Sequence, residues 1–137
     1  SPDDEARILD VQPARPTLQS LAPVLSVEEV RALQAKTDAV RLDRSLADYV
    51  IALAQATRDS DDLMVGLSPR GSLALAQAAR ATAVLEGRDH CIPEDIVENV
   101  LPVCAHRVVT RTTMHEGDTV TARRIMQRIL EAVASPV

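Results

Sequence analysis

The run Ser68-Pro69-Arg70-Gly71 is where this chain carries its clearest chemical signal. Ser is a favoured helix cap and Pro suits the first helical position, so the run predicts a helix start with Arg70 in the first turn. Backbone amides there lack intrahelical partners, and the positive end of the helix dipole favours an anion. An arginine adds a planar, permanently charged fork that matches phosphate oxygens. The plainer alternative is an ion pair between Arg70 and Asp61, Asp62 or another loop carboxylate. Most other chemistries lack their parts. A phosphate loop needs glycines ahead of Lys-Ser/Thr; Lys36-Thr37 supplies the dipeptide, but Ala35 precedes it and no glycine is near. There is no G-x-S-x-G, H-E-x-x-H or G-x-G-x-x-G pattern, and three histidines with scattered carboxylates form no catalytic constellation. His90, Cys91, Cys104 and His106 are zinc-ligand types without the spacing of a zinc knuckle. No metal site is therefore expected, and the two cysteines read as small, reduced core residues of a cytoplasmic protein.

The elements that must position Arg70 are helices. A chain of 137 residues, 46% hydrophobic and 26% charged, matches one globular domain with a core that needs no staple. Tyr49 is the only aromatic residue, so the core must be Leu, Val, Ala and Ile, and a base-stacking platform for single strands is excluded. A net charge of −5 disfavours DNA and anionic membranes as partners. No apolar run reaches the roughly eighteen residues of a membrane span, and no signal-peptide pattern opens the chain. Its first residue is Ser rather than Met, from which we expect a piece of something longer.

Capping and periodicity predict a small helical bundle, mainly α, with at most a minor short-stranded β element. The expected order is a first helix over 1–12, an extended connector over 13–25, helices over 26–105, then a short extended segment and a C-terminal helix over 106–137. Ser1-Pro2-Asp3-Asp4-Glu5 gives a cap, a proline and an acidic first turn ahead of Ile8, Leu9 and Val11. Three prolines from Pro13 to Pro23 predict the connector. Ser26 and Glu29 form a capping box for a short helix through Val30 and Leu33. Leu46, Tyr49, Val50, Leu53 and Thr57 make one buried stripe. The helix from Pro69 to a terminating Gly87 is rich in small apolar residues on most sides, which places it in the middle of the bundle. Pro93-Glu94-Asp95 starts another helix, with Ile92 in a cap position that propensity disfavours. A last amphipathic helix, about Thr119 to Ala134, should bury Ile125, Met126, Ile129, Leu130 and Val133. Ala39–Leu42, His90–Ile92 and Arg107–Thr110 are candidates for the minor sheet.

One combination of motifs is specific. Gly66-Leu67-Ser68-Pro69-Arg70-Gly71-Ser72-Leu73, Ala78-Ala79-Arg80-Ala81, Leu85-Glu86-Gly87-Arg88-Asp89 and Ile92-Pro93-Glu94-Asp95-Ile96 closely resemble the C-terminal lid of MoxR-type AAA+ ATPases. The resemblance runs back through Leu25-Ser26-Val27-Glu28-Glu29-Val30, Asp48-Tyr49-Val50 and Ala56-Thr57-Arg58, and forward to His106-Arg107-Val108-Val109. It implies a helical lid packed on an α/β core that carries the phosphate loop, with ATP and Mg²⁺ bound in the full-length protein and several subunits forming a ring. It implies that Arg70 is the second sensor, reaching the γ-phosphate, with Ser68, Pro69 and Gly71 beside it in the cofactor-binding turn. Arg58 and Arg107 become weaker candidates for the nucleotide edge or the neighbouring subunit, with surface ion pairs as the simpler account. Client proteins, von Willebrand A domains among them, are the implied partners. Ala105 stands where a basic residue is usual, so no role is carried onto His106. The alternative is a stand-alone helical interaction module, whose basic helix at 119–134 docks an acidic partner without any nucleotide. A helix-turn-helix DNA binder is disfavoured by the acidic Glu94, Asp95 and Glu98 face.

Overall fold

The computed structural model describes residues 1–11, 18–111 and 118–136. The elements run α1 (Pro2–Val11), α2 (Val27–Ala39), α3 (Arg44–Arg58), β1 (Leu63–Val65), α4 (Pro69–Leu85), α5 (Pro93–Cys104), a 3-10 turn (Ala105–Arg107), β2 (Val109–Thr110) and α6 (Asp118–Ala132). The architecture is mainly α, with one two-stranded antiparallel sheet among the described residues. Two compact units divide the chain, residues 1–31 and 32–137.

In the first unit, local capping does most of the work. Ser1 Oγ accepts the Asp4 amide at 3.2 Å while the Asp4 carboxylate takes the Ser1 hydroxyl and terminal ammonium. Ser26 Oγ accepts from the Glu29 amide and Glu29 returns a carboxylate to the Ser26 N–H at 2.7 Å, the reciprocal box expected at that position. The helix it starts does not stop near Leu33 but runs on to Ala39. Nothing in the sequence breaks it earlier: no proline or glycine occurs between Pro23 and Gly66. Of the expected connector, residues 13–17 lie outside the described residues; residues 18–20 are helical rather than extended, in a stretch whose amides no proline interrupts.

The second unit holds the core. Leu46, Tyr49, Val50, Leu53 and Thr57 are all buried along α3, as their spacing requires. On α4 the buried residues are Gly71, Leu75, Ala79 and Ala83, each four apart, with Ala76 beside them. Small side chains on that stripe let α4 lie close along α5, whose Ile96, Val100 and Cys104 are fully buried. Off that stripe the helix is mixed: Leu73 is 72% exposed and Leu85 83%, whereas Ala74, Ala78, Ala81 and Thr82 are half-buried. α4 lies against both α3 and α5, as expected of a helix in the middle of the bundle. The four-residue repeat meets the core, with Ala76 buried beside it and Val84 packed at the margin. α6 closes the unit with Ala122, Ile125 and Met126 buried and Ile129, Leu130 and Val133 packed at the margin.

The sheet also departs from expectation. Val109–Thr110 pairs with Leu63–Val65, a segment too short to show alternation in the sequence. Ala39 is the last residue of α2, and the remaining candidates meet only as a parallel bridge between Arg41 and His90. Gly87, at φ 72°, ends α4: its own amide and that of Arg88 return to Val84 and Ala83.

Arg88 then explains the odd cap at Ile92. An isoleucine side chain accepts no hydrogen bond, but the Asp95 carboxylate takes the Ile92 N–H at 2.8 Å and both ends of the Arg88 guanidinium at 2.6 and 2.8 Å. Asp95 is 2% exposed. Burial pushes its carboxyl up, but Arg88 and the Ile92 amide outweigh that, and the group settles below its ordinary 3.8. A depressed folded value contributes stability that is complete above pH about 4 and lost as pH falls through the lower folded value. Asp95→Asn is expected to lower the unfolding free energy at pH 7 by about 1.5–3 kcal/mol, the half-buried Arg88 keeping the loss below that of a fully buried pair. Urea titrations from pH 7 to pH 2 check this. A variant whose acid limb stays as steep as the parent's would place the acid-sensitive group elsewhere.

Candidate functional site

The site is built around the first turn of α4. Ser68 has the extended backbone of a cap, and its Oγ accepts the Gly71 amide at 3.2 Å while its carbonyl accepts the Ser72 amide. Pro69 has no N–H to satisfy. The Arg70 amide is therefore the first donor of the helix left over by the cap. Its guanidinium is exposed and makes no hydrogen bond or ion pair among the described residues. Of the carboxylates that the plainer reading offered it, Asp61, Asp62 or another of the loop, Asp62 is engaged instead by Arg128 at 2.8 Å. That contact also removes one cation from the free face of the basic C-terminal helix.

Arg58 and Arg107 converge on the same turn. Arg58 Nε donates to the Leu67 carbonyl at 2.9 Å. Arg107 Nε donates to the Val103 carbonyl at 2.9 Å, and its Cδ passes 3.7 Å from where a Cβ on Gly71 would stand. None of the three forms an ion pair among the described residues. Arg58 and Arg107 thus touch the loop and first turn that carry Arg70, at a helix end whose dipole favours an anion. The turn is held firmly. Gly66 sits so close to α3 that an added Cβ would stand 2.7 Å from the Arg58 backbone, and Leu67 is 1% exposed.

Next to this turn, α3 and α4 leave an apolar groove of about 530 Å³, floored by Val50, Ala54 and Ala76 and flanked by Ile51, Leu73 and Arg58. Sequence reasoning missed it. The available signal was Ile51 and Leu73, two large aliphatics off the buried stripes, which are 59% and 72% exposed. A smaller depression of about 420 Å³ lies beside Leu33, Lys36, Gly87 and Arg88, at the opposite end of α4 from Arg70.

Cys91 and Cys104 are buried with free thiols. Burial pushes the Cys104 thiol up to about 11 against a smaller pull from Arg107, so it is no thiolate at neutral pH. His90 bonds Asp89 at 2.8 Å and His106 is exposed. Among the described residues no three His, Cys, Asp or Glu are placed to share a metal ion. No helix among them is long and apolar enough to cross a membrane.

The profile of the AAA lid domain family matches residues 55–129. Chaperone MoxR1 of Mycobacterium tuberculosis is 31% identical over 99% of the chain and 38% of its own length. This chain is a MoxR-type AAA+ lid domain. The lid is also 35% identical, over 98% of its length and 42% of the other, to the uncharacterized protein YeaC of Bacillus subtilis. The crystal structure of a putative ATPase from Cytophaga hutchinsonii superposes on 75% of the lid with a TM-score of 0.67 and 28% identity, covering 34% of that chain. The lid thus spans about two fifths of the relatives it matches.

Proposed function

We propose that the lid closes over ATP held by an α/β core and that Arg70 is its sensor of the γ-phosphate. Closing and opening would convert γ-phosphate loss into rigid-body rotation between ring subunits, and so into remodelling or maturation of client proteins, von Willebrand A domains among them. The observation that carries this reading is the Arg70 guanidinium, unpaired among the described residues and set on a capped helix N-terminus. Arg107 and Arg58 extend the cationic surface toward the nucleotide edge or the next subunit. Ser68 and Pro69 shape the turn, and Gly71 lets the buried Leu67 pack beneath it. The phosphate loop and the ligands of Mg²⁺ would belong to the core, since the described residues offer neither a glycine-rich phosphate cradle nor a cluster of carboxylates.

The lid alone is then expected to bind ATP barely and to hydrolyse none. One charge-assisted contact is worth about 1.5–3 kcal/mol, whereas even a millimolar dissociation constant needs about 4 kcal/mol. Titrating Mg-ATP into the ¹⁵N-labelled 137-residue chain should give weak, unsaturated shifts confined to residues 66–73. Micromolar binding would reveal a complete nucleotide site in the lid and overturn the division of labour with a core.

A further inference from the structure

Thr57 looks like one more member of the buried α3 stripe, but its hydroxyl has a specific task. It is 0% exposed, donates to the Ala54 carbonyl at 2.6 Å and accepts the Leu67 amide at 2.8 Å. The next residue, Arg58, donates its Nε to the carbonyl of the same Leu67. Two consecutive α3 side chains therefore hold both backbone groups of one residue, ten positions along the chain. The hold is tightened from both sides. Gly66 lies against the α3 backbone with no room for a Cβ, and the Leu67 Cδ1 stands 2.4 Å from where a Cβ on Gly71 would be. Leu67 adjoins Ser68, whose Oγ caps Gly71, and Arg70 lies between them in that turn.

Resting on the reading that Arg70 meets the γ-phosphate, we propose that Thr57 is the positioning residue of that arginine, with Arg58 as its second tether. A fully buried hydroxyl cannot touch a nucleotide. It acts by fixing where the first turn of α4 begins relative to α3, and so where a guanidinium six bonds out along a flexible stem is anchored. Positioning of this kind is sensitive, because displacement of a charge-stabilising group by about 1 Å can cost up to 100-fold in rate. Replacing Thr57 with Val keeps the volume and branching, deletes the acceptor, and leaves the Leu67 N–H buried without a partner.

The test is steady-state ATP hydrolysis by the full-length protein carrying T57V, T57S, R58M, R70A and the double substitution T57V/R70A. T57V is expected to lower kcat about 10-fold with KM changed less than about twofold. T57S restores the hydroxyl and with it the parent kcat. T57V costs nothing further in the R70A background, since a group acting through Arg70 has nothing left to position. Losses that multiply in the double variant, or an unchanged kcat for T57V while R70A is impaired, overturn the inference and leave the sensor reading standing. An unchanged kcat for R70A overturns the sensor reading itself. Should T57V not fold, R58M decides, alone and combined with R70A: its loss should lower kcat about threefold only where Arg70 is present, and a parent-like rate, or losses that multiply in the double variant, overturn the tether.

Discussion

Arg70→Ala in the full-length protein should lower ATP turnover about 100- to 1,000-fold, the usual loss for one preorganised donor aimed at developing charge, while ADP affinity stays within a few-fold of the parent. The split follows from the proposed sensor role. Arg70 lies in the first turn of α4 with neither its amide nor its guanidinium committed to another residue among those described. A group that meets only the γ-phosphate has no partner in ADP, so its removal acts on the transferring phosphoryl group and not on the rest of the nucleotide. Arg70→Lys keeps the charge but loses the planar fork, and its rate should fall between those of Ala and parent. Parallel measurement of ATPase rate and ADP dissociation constant checks the split. Equal losses in both would make Arg70 a structural residue, and no loss in either would remove it from the site.

Legibility in the sequence followed the range of the interactions. The capping box at Ser26 and Glu29, the cap at Ser68 and the α3 stripe from Leu46 to Thr57 are each written within about one to four helical turns, and each is present in the fold. What was not legible depends on residues far apart. The Arg128 that occupies Asp62 lies 66 positions away, so the sequence left the partner of Arg70 open between an anion and a loop carboxylate. The strand at Leu63–Val65 has three residues, and only the return of Val109–Thr110 makes it a strand. Ile92 is a poor cap by propensity because propensity does not see Arg88 steering the Asp95 carboxylate onto its amide. Thr57 shows the limit most plainly. Its spacing predicts burial and is right, but burial gives no hint that its hydroxyl holds the loop leading to Arg70. The small residues of α4 mark a helix in the middle of the bundle, but alanine content alone does not show that its closest packing runs along a single stripe.

The largest effect on stability should come from Gly66→Ala, a change of one methyl group. Its Cβ would stand 2.7 Å from both N and Cα of Arg58 and 2.8 Å from the carbonyl carbon of Thr57. These are backbone atoms inside a helix, so no side chain can swing aside to make room. Either the end of α3 or the loop must move, and the loop carries Leu67, whose two backbone groups are held by Thr57 and Arg58. Moving it strains those bonds and draws the buried Leu67 side chain out of its packed position. Overpacking in a close-packed region costs about 1–3 kcal/mol, and impairing a buried hydrogen bond adds about 1 kcal/mol. We therefore expect Gly66→Ala to lower the unfolding free energy of the 137-residue chain by about 2–4 kcal/mol. Gly71→Ala meets side-chain atoms, Cδ1 and Cγ of Leu67, rather than helix backbone, and should cost less. Urea midpoints of the two variants give the comparison. A Gly66→Ala chain as stable as the parent would mean that the loop is not seated on α3, and the anchoring of Arg70 through Leu67 would fall with it.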